Sequence, residues 1–551
     1  MPRRRSIAAI AVVTAAALVL PSCSAVSRRP RTVSADHVTT SLPLSAPVDR
    51  GPAPGGLRLV GSVDTPVEGS TPIGAGHSVV DGQLFVATPR GLVAHDAGTG
   101  SERWHYREPG RALAAYAVTG GVALVMTGVP RTGVTVPDRW TALDATTGGL
   151  LWARAVRGVP LPLAFDSPRA GMGGVVPVAL DGRVRGVDAR TGRVRWTSGP
   201  VGTPDCRSTY AAGDDVLTLV TAVCRKSVRF LAIDPVTGRE RWRRAIPSNA
   251  NTLLSSPVRR GLTLLGVGDE RLLVTADGRE LLRAGRSRFC EDRCEMAVGD
   301  GHAVLADFRH LHTVDLRTGE RRTRPTNSPY YALTVAGGEF YGLRRTLAAP
   351  LLPAALDVID PRDGAVTATP MPFTMGPGSL TDSQVEAVWV TGGRVLVTEF
   401  YRDGEAGEKG LMTSAVAAVP PGRGPPELGG VPPGAWPDAC GLAPGHRRAG
   451  PGLDVRLGGE TLRRVRCSVR TAADPLPIQV TVLWVARSAG EADDFLPEGE
   501  QAPAVGDEVV ETDEPDRRVV MRSGRYLVAF DARLPRSAPL ARAIHDRLRD
   551  H

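Results

Sequence analysis

Residues 141–152 read Thr-Ala-Leu-Asp-Ala-Thr-Thr-Gly-Gly-Leu-Leu-Trp, a short apolar lead, an aspartate, a Thr-Gly pair and a tryptophan. The spacing Asp-x-x-Thr-Gly-x-x-x-Trp returns at Asp96, Gly100 and Trp104, at Asp188, Gly192 and Trp196, and at Asp234, Gly238 and Trp242, matching Asp144, Gly148 and Trp152 here. Weaker copies follow at Asp277-Gly278, at Asp315 to Gly319 and at Asp360 to Gly364. A degenerate copy from Val419 to Gly424 puts Pro420 where the aspartate belongs. The seven aspartates are separated by 48, 44, 46, 43, 38 and 45 residues, and repetition near this period means a propeller or a solenoid.

Local chemistry selects the propeller. Before each aspartate runs a β-prone stretch such as Leu84-Phe85-Val86-Ala87 or Val216 to Val220. An aspartate at a strand end accepts bonds from turn N–H groups, glycine supplies a positive φ, and the reversed chain carries a tryptophan able to pack between sheets. Four short antiparallel strands fill about 45 residues, as a propeller blade requires. A helical repeat would show 3.6-residue periodicity and few glycines. With 63 glycines and 46 prolines in 551 residues, and aromatics at only 5%, the composition favours many short strands.

Ala-x-Asp-x-x-Thr-Gly-x-x-x-Trp resembles the signature of the pyrroloquinoline-quinone (PQQ) repeat family. That family includes quinoprotein alcohol dehydrogenases and the propeller lipoprotein of the outer-membrane β-barrel assembly machinery. The resemblance covers about residues 57–428, and its eight copies imply eight blades. The later copies carry Leu282, Thr323, Ala368 and Leu428 at the tryptophan position, which leaves seven blades as the alternative. Leu57 to Val63 alternates weakly, as a strand closing the ring would.

In the family's dehydrogenases PQQ lies between a tryptophan floor and a disulfide of adjacent cysteines, beside calcium and an aspartate base. Adjacent cysteines are absent here, as are a heme-binding Cys-x-x-Cys-His and an evident calcium cluster. Trp140 and Trp389 remain as candidate floors, since Trp436 and Trp484 lie beyond the propeller. The repeat aspartates read as turn residues. His310-Leu311-His312 places two imidazoles on one face of a strand, as some zinc sites require, but without an evident third ligand they read as surface or channel histidines. Arg259-Arg260 and Arg344-Arg345 read as solvated loop charges. No catalytic, cofactor or metal residue is therefore assigned, and PQQ with calcium is the cofactor of the alternative reading.

Arg3, Arg4 and Arg5 precede an apolar run from Ile7 to Leu20, then Pro21-Ser22-Cys23, the pattern of a secretory signal. The run is too short to cross a hydrocarbon core of about 30 Å comfortably. Leu20 to Cys23 resembles a bacterial lipobox, which makes residues 1–22 a lipoprotein signal peptide and Cys23 the acylated residue of the mature chain. Residues 23–56, rich in Ser, Pro, Arg and Gly, read as a flexible tether, with Arg28, Arg29 and Arg31 beside the membrane. The remaining six cysteines, Cys206, Cys224, Cys290, Cys294, Cys440 and Cys467, read as three sequential disulfides in an exported chain. The charge is +9, but only Lys226 and Lys409 are lysines. Arginine spread along the chain points to coding bias rather than to a nucleic-acid surface.

Residues 57–428 are read as the β-propeller, 429–435 as a Pro/Gly linker and 436–551 as a small α+β domain. In the latter, Arg464 to Val469 and Ile478 to Val485 alternate as strands, Arg518 to Met521 and Tyr526 to Phe530 form a hairpin, and Leu540, Ala543, Ile544 and Leu548 recur at helical spacing. Its opening Asp-x-Cys-x-Leu resembles small domains of actinobacterial envelope lipoproteins and sensor ectodomains. The whole is all-β in its main part and is expected to be an extracytoplasmic, membrane-anchored binding or assembly scaffold for an envelope protein or polymer. A PQQ-dependent dehydrogenase and a ligand sensor using the C-terminal domain are the competing expectations.

Overall fold

A computed structural model of the chain describes residues 35–551 apart from 46–56, 69–76, 132–133, 136, 156–158, 161–172, 181–182, 201–205, 248–252, 255–257, 291–293, 308, 327–329, 345–353, 373–383, 392–393, 404–408, 419–427, 429–430, 444–446, 449–452, 458–459, 472–473, 497–498, 502–504 and 513–517. The expected signal peptide, Cys23 and the three arginines after it lie outside the described residues.

The chain is nearly all-β and its main part is a PQQ-like β-propeller. Eight antiparallel sheets of four or five strands, and one two-stranded ribbon of Pro130–Arg131 with Val134–Thr135, precede residue 420 among the described residues. The second sheet shows the pattern: Ala112–Thr119, Val122–Gly128, Arg139–Asp144 and Leu150–Ala155 pair in a meander. Val122–Gly128 is buried throughout, because it is sandwiched on both faces, and Val122 to Met126 reads as an unbroken apolar run rather than as alternation. Leu150–Ala155, the outermost strand, is largely exposed.

Apolar clusters lie between consecutive sheets and hold them face to face. Phe85 and Trp104 of the first sheet meet Tyr116 and Leu143 of the second. Leu124 and Trp140 then meet Val176 and Val187 of the third. The series runs on to the seventh and eighth sheets, joined by Tyr341, Leu343, Val388 and Val395. It closes where Leu396 of the eighth packs on Leu84, Val86 and Val93 of the first. In the eighth sheet, Gln384–Thr391, Arg394–Asp403 and Lys409–Ala418 are completed on the outside by Arg58–Glu68, with Arg58 opposite Ala418. Because this N-terminal strand takes the outer place, Leu428 does not sit at a tryptophan position of the ring. It is buried with Val431 and Trp436 in the C-terminal core instead.

Part of the expected 23–56 tether is structured. Asp36–Val38 pairs with the outer strand Glu102–Arg107 of the first sheet, and residues to Ser45 follow its turn. An open sheet edge offers unpaired backbone groups, which an extended polar segment satisfies whatever its composition.

The C-terminal sheet places Glu460–Thr471 and Asp474–Val485 beside the hairpin Arg518–Ser523 and Tyr526–Phe530. Helix α1, Ala489–Asp494, is capped by Ser488. Helix α2, Leu534–Arg549, buries Leu540, Ala541, Ile544 and Leu548 against this core. Cys440–Cys467 ties its entry loop to the sheet, and Cys206–Cys224 joins two strands of the fourth sheet. Cys290–Cys294 closes the connector between the fifth and sixth sheets rather than a single blade. Among the described residues no helix is long and apolar enough to cross a membrane.

Candidate functional site

The repeat turns are built by their own aspartates. Asp144 Oδ1 accepts the N–H groups of Thr146 at 3.1 Å and Thr147 at 3.0 Å, together with the Thr147 hydroxyl at 3.0 Å. Its carbonyl accepts Gly148 N–H at 2.8 Å. Asp96 and Asp234 each accept two turn N–H groups, Asp188 accepts the N–H and hydroxyl of Thr191, and each main-chain carbonyl takes the turn glycine's N–H. Asp188 is further paired with Arg195 at 2.5 Å and Asp234 with Arg241 at 2.8 Å. Burial pushes these carboxyls up, but the bonds they accept outweigh it and hold Asp188 below the usual range and Asp234 at about 2. Such carboxylates are ionised turn caps with their oxygens already engaged.

Each repeat tryptophan reaches the next turn along the ring. Trp104 Nε1 donates to Ala145 O at 2.9 Å, Trp152 to Ala189 O at 3.0 Å and Trp196 to Pro235 O at 2.9 Å. Gly148 and Gly238 adopt φ of 76° and 72°, and a Cβ there would stand 2.7 Å from Trp104 Cγ and 2.5 Å from Trp196 Cγ. The glycine thus serves both the left-handed turn and the indole lying on it. The series changes at the fifth sheet. There Thr275, not Asp277, occupies the strand end, because the turn is one residue shorter: Thr275 N–H reaches Arg279 O at 3.0 Å. Trp242 still lies against Gly278, but among the described residues its buried Nε1 has no hydrogen-bond partner.

The N-terminal segment seats on this turn rim. Ser45 donates from its N–H to Asp96 Oδ2 at 2.8 Å and from its hydroxyl to Oδ1 at 2.5 Å. Thr40 N–H reaches Thr147 O at 2.9 Å, and His37 Nε2 lies 2.7 Å from Gly148 O. A cleft of about 370 Å³ opens between the second and third sheets, with Gly120, Gly174, Asp188, Arg190 and Arg195 on its walls.

Two polar clusters were not read from the sequence. Arg344, expected in solvated loop, is buried. Its Nη2 donates to Asp357 Oδ1 at 2.8 Å, and the Tyr330 hydroxyl donates to Oδ2 of the same fully buried carboxylate. The other pair fits the expectation better, with Arg260 exposed and facing Asp300.

The second cluster gathers around the histidine pair. In the sixth sheet, His302–Ala306 turns into His310–Asp315, and Asp307 in that turn completes a group whose donor atoms all lie within 4.8 Å of one another. Asp307 Oδ1 accepts Arg309 N–H at 2.8 Å and His310 N–H at 2.7 Å. His310 Nδ1 lies 3.4 Å from Oδ1, and His312 Nε2 lies 3.3 Å from Oδ2. His312 is 1% exposed and its Nδ1 meets Thr323 Oγ1 at 2.9 Å, while Phe289 packs against its ring at a 60° tilt with centroids 5.0 Å apart. These are therefore neither channel nor simple surface histidines. They sit on the third strand of a sheet, and only His310, at 43% exposure, faces solvent. Burial alone would raise the Asp307 carboxyl, but His312 and the two backbone donors hold it at about 2. The signal for the third member was present, since Asp307 stands three residues before His310 across a tight turn.

The residues do not fit PQQ. Trp140 is fully buried on the third strand of the second sheet, in the core between the second and third sheets. Trp389 lies on the innermost strand of the eighth sheet, packed against the cluster that joins it to the first. Trp140 is thus taken up by the core, and the three disulfides span 18, 4 and 27 residues, so none joins adjacent cysteines.

Residues 58–255 match the family described as outer membrane protein assembly factor BamB. Among solved structures, the chain is similar to BamB from Moraxella catarrhalis, at 13% identity over 65% of this chain and 99% of that one with a TM-score of 0.40. It is also similar to a europium-containing methanol dehydrogenase, at 14% identity over 65% and 93% with a TM-score of 0.37. A third is dihydro-heme d1 dehydrogenase NirN in complex with DHE, at 13% identity over 70% and 79% with a TM-score of 0.38. No curated protein matches the chain.

Proposed function

We propose that this PQQ-repeat propeller is a non-catalytic scaffold of the cell envelope, an eight-bladed ring over about residues 57–418 followed by an α+β domain from Leu428. In this reading residues 1–22 are removed on export, Cys23 carries the lipid, and the loops on the two rims take an envelope protein or polymer. One observation carries the reading. The acidic groups that recur around the ring are bonded into their own turns, so what remains for recognition is rim surface on a rigid frame. The match of residues 58–255 to an assembly-factor family supports the same direction.

The test is crosslinking of the membrane-anchored chain in its own envelope, with Cys23→Ala as the control, alongside titration of the chain with PQQ and calcium. The scaffold reading expects a discrete crosslinked partner that is lost when Cys23→Ala releases the chain from the membrane, and no thermal shift with PQQ. Saturable PQQ binding that raises the melting temperature would overturn it in favour of a dehydrogenase.

A further inference from the structure

We propose that Asp307, His310 and His312 form a binding site for one divalent late-transition cation, zinc first among them, with an open coordination position reached past His310. One donor atom from each of the three side chains lies within 4.8 Å of the other two. The imidazole nitrogens stand at 3.4 Å and 3.3 Å from the two carboxylate oxygens. Donors around a tetrahedral ion with metal–ligand bonds of about 2.0–2.2 Å are held roughly 3.3–3.6 Å apart, a spacing that small side-chain rotations reach from this arrangement.

The division of labour within the carboxylate points the same way. Oδ1 is taken by two backbone N–H groups, which fix its orientation within the turn. Oδ2 faces His312 Nε2 at 3.3 Å. The outer contacts of His312 are those of an oriented ligand. In the metal-bound form Nδ1–H goes to Thr323 and Nε2 supplies the coordinating lone pair, while Phe289 packs tilted against the ring. Two imidazoles and one carboxylate are a donor set of intermediate softness, suited to zinc, iron or nickel rather than to calcium or magnesium. Asp307 and His312 are buried, so an ion there sheds most of its water, and the partly exposed His310 leaves one side for a water or an exogenous ligand.

The test is titration of the full chain, stripped with chelator and dialysed, with Co²⁺ followed by visible absorption and displacement by Zn²⁺. The expected result is saturable uptake of one equivalent with a low-symmetry d–d spectrum that Zn²⁺ abolishes. His310→Ala, at the exposed position, should lose that spectrum while its circular dichroism and chelated melting temperature match the parent. Thr323→Val, which removes only the hydroxyl behind His312, should weaken binding about 10–100-fold. Absence of saturable uptake of either ion by the parent chain would overturn the proposal. So would unchanged uptake by both variants, which would place the ion elsewhere.

Discussion

Asp357 shows what a single residue can demand of its surroundings. Its side chain is fully buried, and among the described residues the Arg344 guanidinium and the Tyr330 hydroxyl compensate it. Removing one partner of a buried ion pair leaves an uncompensated charge and costs about 3–5 kcal/mol, whereas replacing both with apolar groups is often near neutral. Arg344→Met should therefore destabilise the chain strongly, and the double variant Arg344→Met/Asp357→Leu should recover most of the loss. Denaturation midpoints of the two singles and the double measure the coupling, and simple additivity would refute the account. The sequence places Arg344 beside Arg345 and so favours a solvated loop, because the partner that buries it comes from a neighbouring strand 13 residues on. Asp307 is the opposite case. It is close in sequence to the histidines it joins, and only the sharpness of the turn, invisible in spacing alone, brings its carboxylate round to them.

Among elements, the repeat turn was the most legible. Aspartate, threonine, glycine and tryptophan each have one local task; the first four aspartates cap their turns alike, and the first three indoles donate to the next turn. Legibility failed where the element changed length, as at Thr275, or where a strand came from elsewhere in the chain, as with Arg58–Glu68 in the eighth sheet. Pairing between distant segments leaves no periodic mark on either one. The turn aspartates also carry a pH signature. The folded-state carboxyl of Asp234 lies at about 2, below its ordinary value of 3.8. A depressed carboxyl contributes stability that is fully present above its unfolded value and is lost as pH falls from there through the folded value. Asp234→Asn keeps an acceptor for the turn but removes the titration and the pairing with Arg241. The parent should therefore melt higher than this variant near neutral pH, with the gap narrowing between about pH 4 and 2. A gap that stays constant with pH would mean that the charge is not what the turn uses.

At the scale of the whole molecule, the ring depends on a strand from its beginning. Arg58–Glu68 pairs along nearly its full length with Lys409–Ala418, and Leu396 and Trp389 close the apolar series against the first sheet. A chain lacking residues 58–68 should leave the eighth sheet without its outer strand and show a lowered and broadened thermal transition, with association through the bared edge visible by size-exclusion chromatography. A sharp melt and monomeric elution for that deletion would show that closure is dispensable. The C-terminal unit has its own core, in which Trp436 and Trp484 meet edge to face with centroids 6.2 Å apart, and its circular dichroism contribution should persist.

That closure also sets an order of events. In a polypeptide delivered N-terminus first, the strand at Arg58 is among the earliest segments to emerge and must wait for Ala418 before it meets its mate. Until then every intermediate carries two unmatched edges, one at each end of the growing stack, and a contact of very high sequence separation is the step that seals it. The short segment from Asp36 to Ser45, laid along the first sheet's outer edge, can engage as soon as residues 91–107 have arrived. The molecule is thus assembled with its earliest edge shielded from the start and its seam sewn last.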